Sequence, residues 1–441
     1  MTMLMGGTYL LINDLATEQR RGTINFIRLS PQSYQSILLG KILGVPILLY
    51  LAIFLAIPFH LWLGLNMGIP LYQTLIFYVV LLGASILYYS AALLFGLVGS
   101  WLGGVQSWLG SGFLGLVLLF TQKNIFPRFN IFLGLSIINP GNFIPDSEGG
   151  LNFVHFQWFG LPLGNSLVLT TCFSLLVYGI GTYFIWQSLE RCYHDTNATM
   201  LSKKQSYFLT ASFTVIMLGC ANSVSNQNLL PLIFINFGLF LYLIAALTPN
   251  YQTLQDWARY QHFYRVKNPG KQKLIKDLIW GEKSPAILAI AINALIVFTI
   301  ISVFIAVSFS PASYKISAVI ALIFTLSLLL IYAALAQILL FTKHQQTLLR
   351  TNTVLAAVIL LPIIVLGLVS SGNTSNYSFL WLFSIFAPLQ VLSPYSVPLG
   401  VMVSFLGLLG HASILGLLLF RIKGRLKKVG ESATKALLTP N

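Results

Sequence analysis

Charged residues are scarce in this sequence. Only 8% of its 441 residues are Asp, Glu, Lys or Arg, whereas 56% are hydrophobic. Soluble domains carry roughly a quarter charged residues, so this composition excludes an ordinary soluble protein. The mean hydropathy of +0.82 indicates an integral membrane protein with little room for a soluble domain.

Acidic residues are the rarest charged type. Ten Asp and Glu face 25 Lys and Arg, which gives a net charge of +15, and all ten acidic residues lie between the long apolar runs rather than inside them. A transporter driven by a proton or sodium gradient usually needs a carboxylate within the membrane. The absence of one from the apolar runs argues against that class of transporter.

Sequence patterns for metal, nucleotide and disulfide chemistry are also missing. The three cysteines form no disulfide framework, and no histidine shows metal-ligand spacing. Gly40-Lys41 and Gly270-Lys271 resemble the end of a phosphate-binding loop, but neither has the earlier Gly or the following Ser or Thr. The sequence therefore predicts no cofactor, no metal and no enzyme active site. Any ATP-driven work must come from a separate subunit.

Long apolar runs dominate the chain and predict an all-α polytopic membrane protein with about ten spans. A helix needs roughly 20 apolar residues to cross a bilayer. Runs of suitable length cover residues 42–65, 75–99, 104–121, 164–187, 207–222, 229–248, 286–308, 316–341, 353–371 and 398–420. A shorter run, Phe379 to Leu392, is interrupted at Pro388 and predicts a re-entrant or interfacial segment.

Basic residues orient these spans. Placing residues 13–41 in the cytoplasm puts all but three of the 25 Lys and Arg residues on that side, as the positive-inside rule requires. The sequence thus predicts a multi-pass protein of the cytoplasmic (plasma) membrane with a cytoplasmic C-terminus. The basic run from Arg421 to Lys428 follows the last span directly, which favours contact with membrane lipids and argues against nucleic acid.

The two halves of the chain show a weak repeat. Ser30-Pro31 and Ser284-Pro285 each precede four predicted spans, and Pro162-Leu163-Gly164 matches Pro398-Leu399-Gly400 before the last of them. This order favours two related six-span units, residues 1–206 and 207–441, with the first lacking its opening spans. Residues 1–12 are apolar but too short to cross. They are predicted to be the tail of a helix that begins upstream or, alternatively, an interfacial anchor.

Two cytoplasmic segments have a pattern of their own. In residues 13–41, Ile24, Ile27 and Leu29 recur at near-helical spacing and Pro31 ends any helix, which predicts a short amphipathic helix. In residues 249–285, Leu254 and Trp257 begin a similar stripe. Both segments fit either a partner-binding helix or a helix that only anchors the fold in lipid headgroups.

The first segment resembles a known family. Glu18, Arg21-Gly22-Thr23, Ser30-Pro31 and Gly40-Lys41 are similar in order and spacing to the segment after the second span of type-2 ABC transporter permeases. The resemblance implies a coupling helix that docks on a cytoplasmic ATP-binding-cassette ATPase subunit. The residues it assigns to coupling are Glu18, Arg20, Arg21, Gly22, Thr23, Ser30 and Pro31.

The second half keeps part of that pattern. It supplies Asp277, Glu282, Ser284 and Pro285 as coupling candidates but lacks the basic-Gly-Thr step. The resemblance implies a permease subunit that exports a lipid-like or amphipathic substrate, and it leaves room for a second permease subunit. The alternative is a non-transporting membrane scaffold or assembly factor. A stoichiometric ATPase in co-purification favours the permease, and another dominant partner favours the scaffold.

Overall fold

The computed structural model describes residues 1–122, 134–144, 153, 156–195, 197–221, 226–267, 274–308, 310–341, 347–369, 378–392 and 401–438. The structure is 85% helical, and in these ranges the only strand-like pairing is a single bridge between Trp158 and Leu161. Eight helices in the same ranges are long and apolar enough to cross a membrane. The prediction of an all-α, multi-pass membrane protein is confirmed at this level.

The first compact unit comprises residues 1–196 and 219–222. Its helices are α1 (Thr2–Arg21), α2 (Thr23–Arg28), α3 (Tyr34–Gly44), α4 (Ile47–Asn66), α5 (Leu71–Val98), α6 (Gln106–Phe120) and α7 (Leu167–His194). Short 3-10 turns lie at Gly99–Val105, Pro140–Phe143 and Leu163–Asn165. Helix α5 is central to this unit, because it contacts α1, α4, α6, α7 and the turn Pro140–Phe143.

The second unit comprises residues 197–218 and 223–441. Its helices are α8 (Lys203–Ala221), α9 (Asn226–Leu247), α10 (Tyr251–Lys267), α11 (Leu274–Trp280), α12 (Ile287–Val307), α13 (Ala312–Leu340), α14 (Thr347–Val369), α15 (Ser378–Trp381), α16 (Ala387–Leu392) and α17 (Val401–Leu438). Helix α13 is central here, because it contacts α9, α12, α14, α16 and α17.

The two units share an order of elements. In each, a helix precedes a connection that contains short helices. Then come a peripheral helix, the central helix, another helix, a broken segment and a final helix that packs on the central one. In the first unit the series is α1, α4, α5, α6, the turn Pro140–Phe143 and α7. In the second it is α9, α12, α13, α14, α15 with α16, and α17.

The broken segments are held by buried polar contacts. In the first unit, the hydroxyl groups of Tyr88 and Tyr178 donate to the carbonyl oxygens of Ile138 and Ile137 at 2.8 and 3.1 Å. In the second unit the break lies at residues 382–386, where the buried Ser384 Oγ accepts from the Phe386 N–H. The prediction that Pro388 interrupts this segment was wrong, because Pro388 lies in the first turn of α16, where its missing N–H costs nothing.

The beginning of the chain differs from the sequence-based expectation. Residues 1–12 are not a separate stub, because α1 continues without a break to Arg21 and includes Asp14 and Glu18. The predicted amphipathic helix within residues 13–31 is likewise divided at Gly22, between α1 and α2. Polar residues that resembled a loop therefore lie on a helix.

Two of the ten predicted spans are not counted separately among the eight described helices that are both long and apolar enough to cross a membrane. The run 104–121 forms α6, which follows α5 through a turn with Gly103 at φ 61°. The run 207–222 forms α8, whose first two residues are Lys203 and Lys204. Helix α7 continues beyond the predicted 187 to His194, so Glu190 lies in a helix rather than a loop.

Candidate functional site

A tight turn joins α1 to α2 at the Arg21-Gly22-Thr23 motif. Gly22 adopts φ 72°, and its N–H donates to the carbonyl oxygens of Gln19 and Glu18. Thr23 then begins α2 and donates its hydroxyl to the Glu18 carbonyl at 3.2 Å. Because a side chain is strained at positive φ, glycine is the residue that permits this reversal.

Lys41 ties α3 to α1 beside this turn. Its Nζ lies 2.6 Å from Asp14 Oδ2 and 2.7 Å from Glu18 Oε1, and its side chain is 14% exposed. Asp14 and Glu18 are four residues apart on one face of α1, so a single ammonium group reaches both. Burial lowers the pKa of Lys41, but the hydrogen bonds and charges of the two carboxylates outweigh burial and raise it above 10.5. We call these three residues the Lys41 latch.

Helix α2 is pinned on one side and exposed on the other. Ile24 is buried, and the Arg28 guanidinium donates to the Cys192 carbonyl at 3.3 Å and lies 5.6 Å from the Tyr193 ring centre. Phe26 and Leu29, in contrast, are 81% and 84% exposed. A short helix held against the end of α7 thus presents two large apolar side chains outward.

An open groove of about 630 Å³ lies beside α2 and α3. Its lining includes Asp14, Phe26, Ser30 and Lys41. The Ser30 hydroxyl oxygen is buried and has no hydrogen-bond partner among the residues that the structure describes. The groove therefore combines an apolar wall with polar groups of both signs.

The predicted coupling residues of the first unit divide into two sets. Glu18 points inward, where its carboxylate accepts from Lys41. The exposed set comprises Arg20, Arg21, Gly22, Thr23 and Pro31, with Ser30 at the groove. Arg20 Nε donates to the Ala16 carbonyl of its own helix. Sequence reasoning did not assign Arg28 or Lys41 to the site. The motif includes Gly40-Lys41, but its spacing does not predict that Lys41 pairs with Asp14 and Glu18, which lie 27 and 23 residues earlier.

The corresponding motif in the second unit faces inward. Ser284 is fully buried, and Lys203 Nζ donates to its Oγ at 2.6 Å and to the Leu278 carbonyl at 2.7 Å. The Ser284 hydroxyl in turn donates to the Asp277 carbonyl at 2.6 Å. Ser284 and Pro285 therefore hold the approach to α12 against the start of α8, which leaves Ser284 without an exposed surface.

Burial affects the ionisation of Lys203 in this cluster. It lowers the pKa of Lys203 to about 8, against the opposing attraction of Asp277 and Glu282. The Asp277 carboxylate accepts from Gln261 Nε2 at 2.6 Å, whereas Glu282 is exposed. Gly281 lies so close to the Asp277 carbonyl that a Cβ atom there would approach it to 2.5 Å. The glycine is required for the tight packing around Ser284.

Among the residues with a described structure, no three His, Cys, Asp or Glu side chains are grouped to hold a metal ion. Comparison of the chain with family models, with curated proteins and with solved structures finds no match. The resemblance to type-2 ABC permeases therefore rests on sequence motifs alone, namely the one in residues 18–41 and its partial counterpart in residues 277–285.

Proposed function

We propose that this chain is a transmembrane permease subunit of an ABC transporter that exports a lipid-like or amphipathic substrate. A separate ATP-binding-cassette ATPase on the cytoplasmic face hydrolyses the ATP. The proposal includes the cytoplasmic membrane as location, a cytoplasmic C-terminus and ten crossings, with α6 and α8 added to the eight membrane-length helices.

The arrangement of α1, α2 and α3 carries this proposal. The Gly22 turn joins α2 to α1, the Arg28 contact holds α2 against the end of α7, and the Lys41 latch fixes α1 to α3 behind it. Phe26 projects from α2, and Leu29 follows it directly. A rigid projection transmits a push to the helices behind it, whereas a flexible loop absorbs the push. ATPase closure against α2 would therefore move α1 and α7 as solid bodies.

The charge distribution of the described helices supports coupling by rigid movement. In the eight membrane-length helices, Glu190 near the end of α7 is the only described acidic residue. Glu190 is exposed and lies four residues from the end of its helix. These helices thus offer no buried carboxylate for a coupling ion, so movement driven by a partner fits better than movement driven by an ion gradient.

The test is co-purification with a matched pair of variants. Phe26→Glu places a charge on the exposed surface of α2, and Phe159→Glu does the same to a phenylalanine that is 46% exposed outside the two predicted cytoplasmic segments. The full-length chain is purified from its native membranes, and its partners are quantified by mass spectrometry. We expect a stoichiometric ABC ATPase with the parent chain and with Phe159→Glu, and a loss of at least tenfold with Phe26→Glu.

Two results would contradict the proposal. Recovery of a different dominant partner would favour the membrane scaffold. Equal ATPase recovery with Phe26→Glu and the parent chain would remove α2 as the docking element.

A further inference from the structure

Helix α17 has one exposed apolar face along the part that crosses the membrane. Phe420 is 77% exposed, and other large exposed side chains recur above it on the same side of the helix: Met402, Leu406, Leu409 and Leu417. Their spacings of four, three, eight and three residues place them on one side of the helix. This face is therefore available to lipid chains.

The same face continues into basic residues where the apolar run ends. Leu417, Arg421, Gly424 and Lys428 follow at intervals of four, three and four residues, so they form one row on α17. Lys423 lies beside this row, and Arg421, Lys423 and Lys428 are all exposed. An apolar track thus leads straight to a group of positive charges.

The opposite side of α17 packs against protein. Ile422 is 4% exposed and Leu426 is half-buried, and α17 contacts α10. On α10, Leu254 and Ala258 are buried and four residues apart, which places them on one helix face. The contact with α10 fixes the rotation of α17, so its basic row is held outward.

Gly424 leaves space at the centre of the charges. A Cβ atom at Gly424 would meet nothing within 4 Å. Arg421, Lys423 and Lys428 make no ion pair with an acidic residue whose side chain the structure describes. The next cation, Arg425, is already oriented, because its Nη1 donates to the Ile338 carbonyl at 3.1 Å.

We propose that this surface binds the phosphate headgroup of an anionic phospholipid. The phosphate lies over Gly424 between Arg421 and Lys428, and the acyl chains run along Phe420 and Leu417. Guanidinium groups bind phosphate oxygens in bidentate geometry, and lysine side chains reach back to the headgroup level. A soluble acidic partner would need the charges alone, whereas a phospholipid matches both the charges and the apolar track.

The experiment compares lipid retention by the full-length chain. Purified protein in detergent is mixed with equal amounts of phosphatidylglycerol and phosphatidylcholine, and native mass spectrometry counts the lipids that stay bound. We expect the parent to prefer phosphatidylglycerol. Arg421→Gln with Lys428→Gln should lower this preference by about fivefold per charge. Lys276→Gln with Lys283→Gln removes two exposed charges elsewhere in the same unit and should leave the preference unchanged.

A second pair of variants changes no charge. Gly424→Leu fills the space between the cations, and Gly416→Leu makes the same substitution at another open position on α17. We expect Gly424→Leu to lower phosphatidylglycerol retention severalfold and Gly416→Leu to leave it at the parent level. The two variants also control for folding, since both remove a helical glycine.

Several results would overturn the proposal. They are an absent preference in the parent, equal losses in the two charge-neutralised variants, and unchanged retention with Gly424→Leu. Displacement of the phospholipid by an equal concentration of inorganic phosphate would identify an anion site that does not need the apolar track. Specific binding of an acidic protein or a nucleic acid at these residues would also overturn it.

Discussion

The ammonium group of Lys203 lies 2.6 Å from the hydroxyl oxygen of Ser284, which is 81 residues later in the chain. The ammonium group is surrounded by neutral oxygens, since the carbonyl groups of Leu278 and Pro285 also accept from it. The contact fixes the first residue of α8 against the residues that lead into α12. A buried cation with neutral partners costs free energy, and that cost depends on pH.

We predict that raising the pH stabilises the protein through Lys203. The pKa of Lys203 is lowered to about 8 in the folded chain from the ordinary 10.5. Between these values the unfolded chain retains a proton that the folded chain has released, so the free energy of unfolding rises with pH. From pH 7.5 to 9.5 the rise should be roughly 2 kcal/mol.

Thermal unfolding of the parent and of Lys203→Met at the two pH values tests this. The variant has no ammonium group at position 203, so this component of the pH dependence should vanish. Equal pH dependence in both proteins would mean that Lys203 does not titrate as predicted.

The Lys41 latch should contribute to the free energy of unfolding, and this contribution should depend on pH in the direction opposite to that of Lys203. Glu18→Lys places a second cation beside Lys41 and should lower the free energy of unfolding by about 2 kcal/mol. The double variant Glu18→Lys with Lys41→Glu restores opposite charges and should recover most of the loss. Because the folded pKa of Lys41 is raised, its contribution is complete below pH 10.5 and is lost only above it.

The measurement is chemical or thermal unfolding at neutral pH, with the double-mutant cycle as its internal control. If the single variant Glu18→Lys is as stable as the parent, the Lys41 latch does not contribute to the free energy of unfolding.

Gly22 should tolerate side chains only at a cost. Its φ of 72° is accessible to asparagine but strained for a β-branched residue. We expect Gly22→Val to lower the free energy of unfolding by about 1–2 kcal/mol. The loss with Gly22→Asn should be only a few tenths of the loss with Gly22→Val. ATPase recovery should fall with Gly22→Val, because the orientation of α2 changes. Equal stability of Gly22→Val and Gly22→Asn would show that residue 22 does not need a positive φ.

The orientation of the membrane-length helices is open to labelling. The positive-inside rule places Lys204 in the cytoplasm and Ser313 outside, and both side chains are exposed. In a background without Cys172, Cys192 and Cys220, a membrane-impermeant thiol reagent added from outside should label Ser313→Cys and not Lys204→Cys. The reverse result would invert the topology.

The sequence was sufficient for the helical class because apolar runs of membrane length carry that information locally. It was insufficient for α1, since Asp14 and Glu18 resemble loop residues until Lys41 neutralises them from 27 and 23 residues away. The inward direction of Ser284 was unpredictable for the same reason, as its partner lies 81 residues earlier. Gly22 was named from the sequence only through the family resemblance, and the turn that it forms between α1 and α2 was not predicted. Contacts between residues that are far apart in the sequence produce no periodic sequence pattern.

The central position of α5 has a consequence for biosynthesis. The indole N–H of Trp186 in α7 donates to the Ser90 hydroxyl of α5 at 3.0 Å, and 96 residues separate them. Ribosomes add about 5–20 residues per second, so α5 waits roughly 5–20 s for this partner after it is made. During that interval the nascent first unit is incomplete and exposed to quality-control proteases. Substitutions between α5 and α7 should therefore reduce cellular yield more than they reduce the stability of the protein that survives.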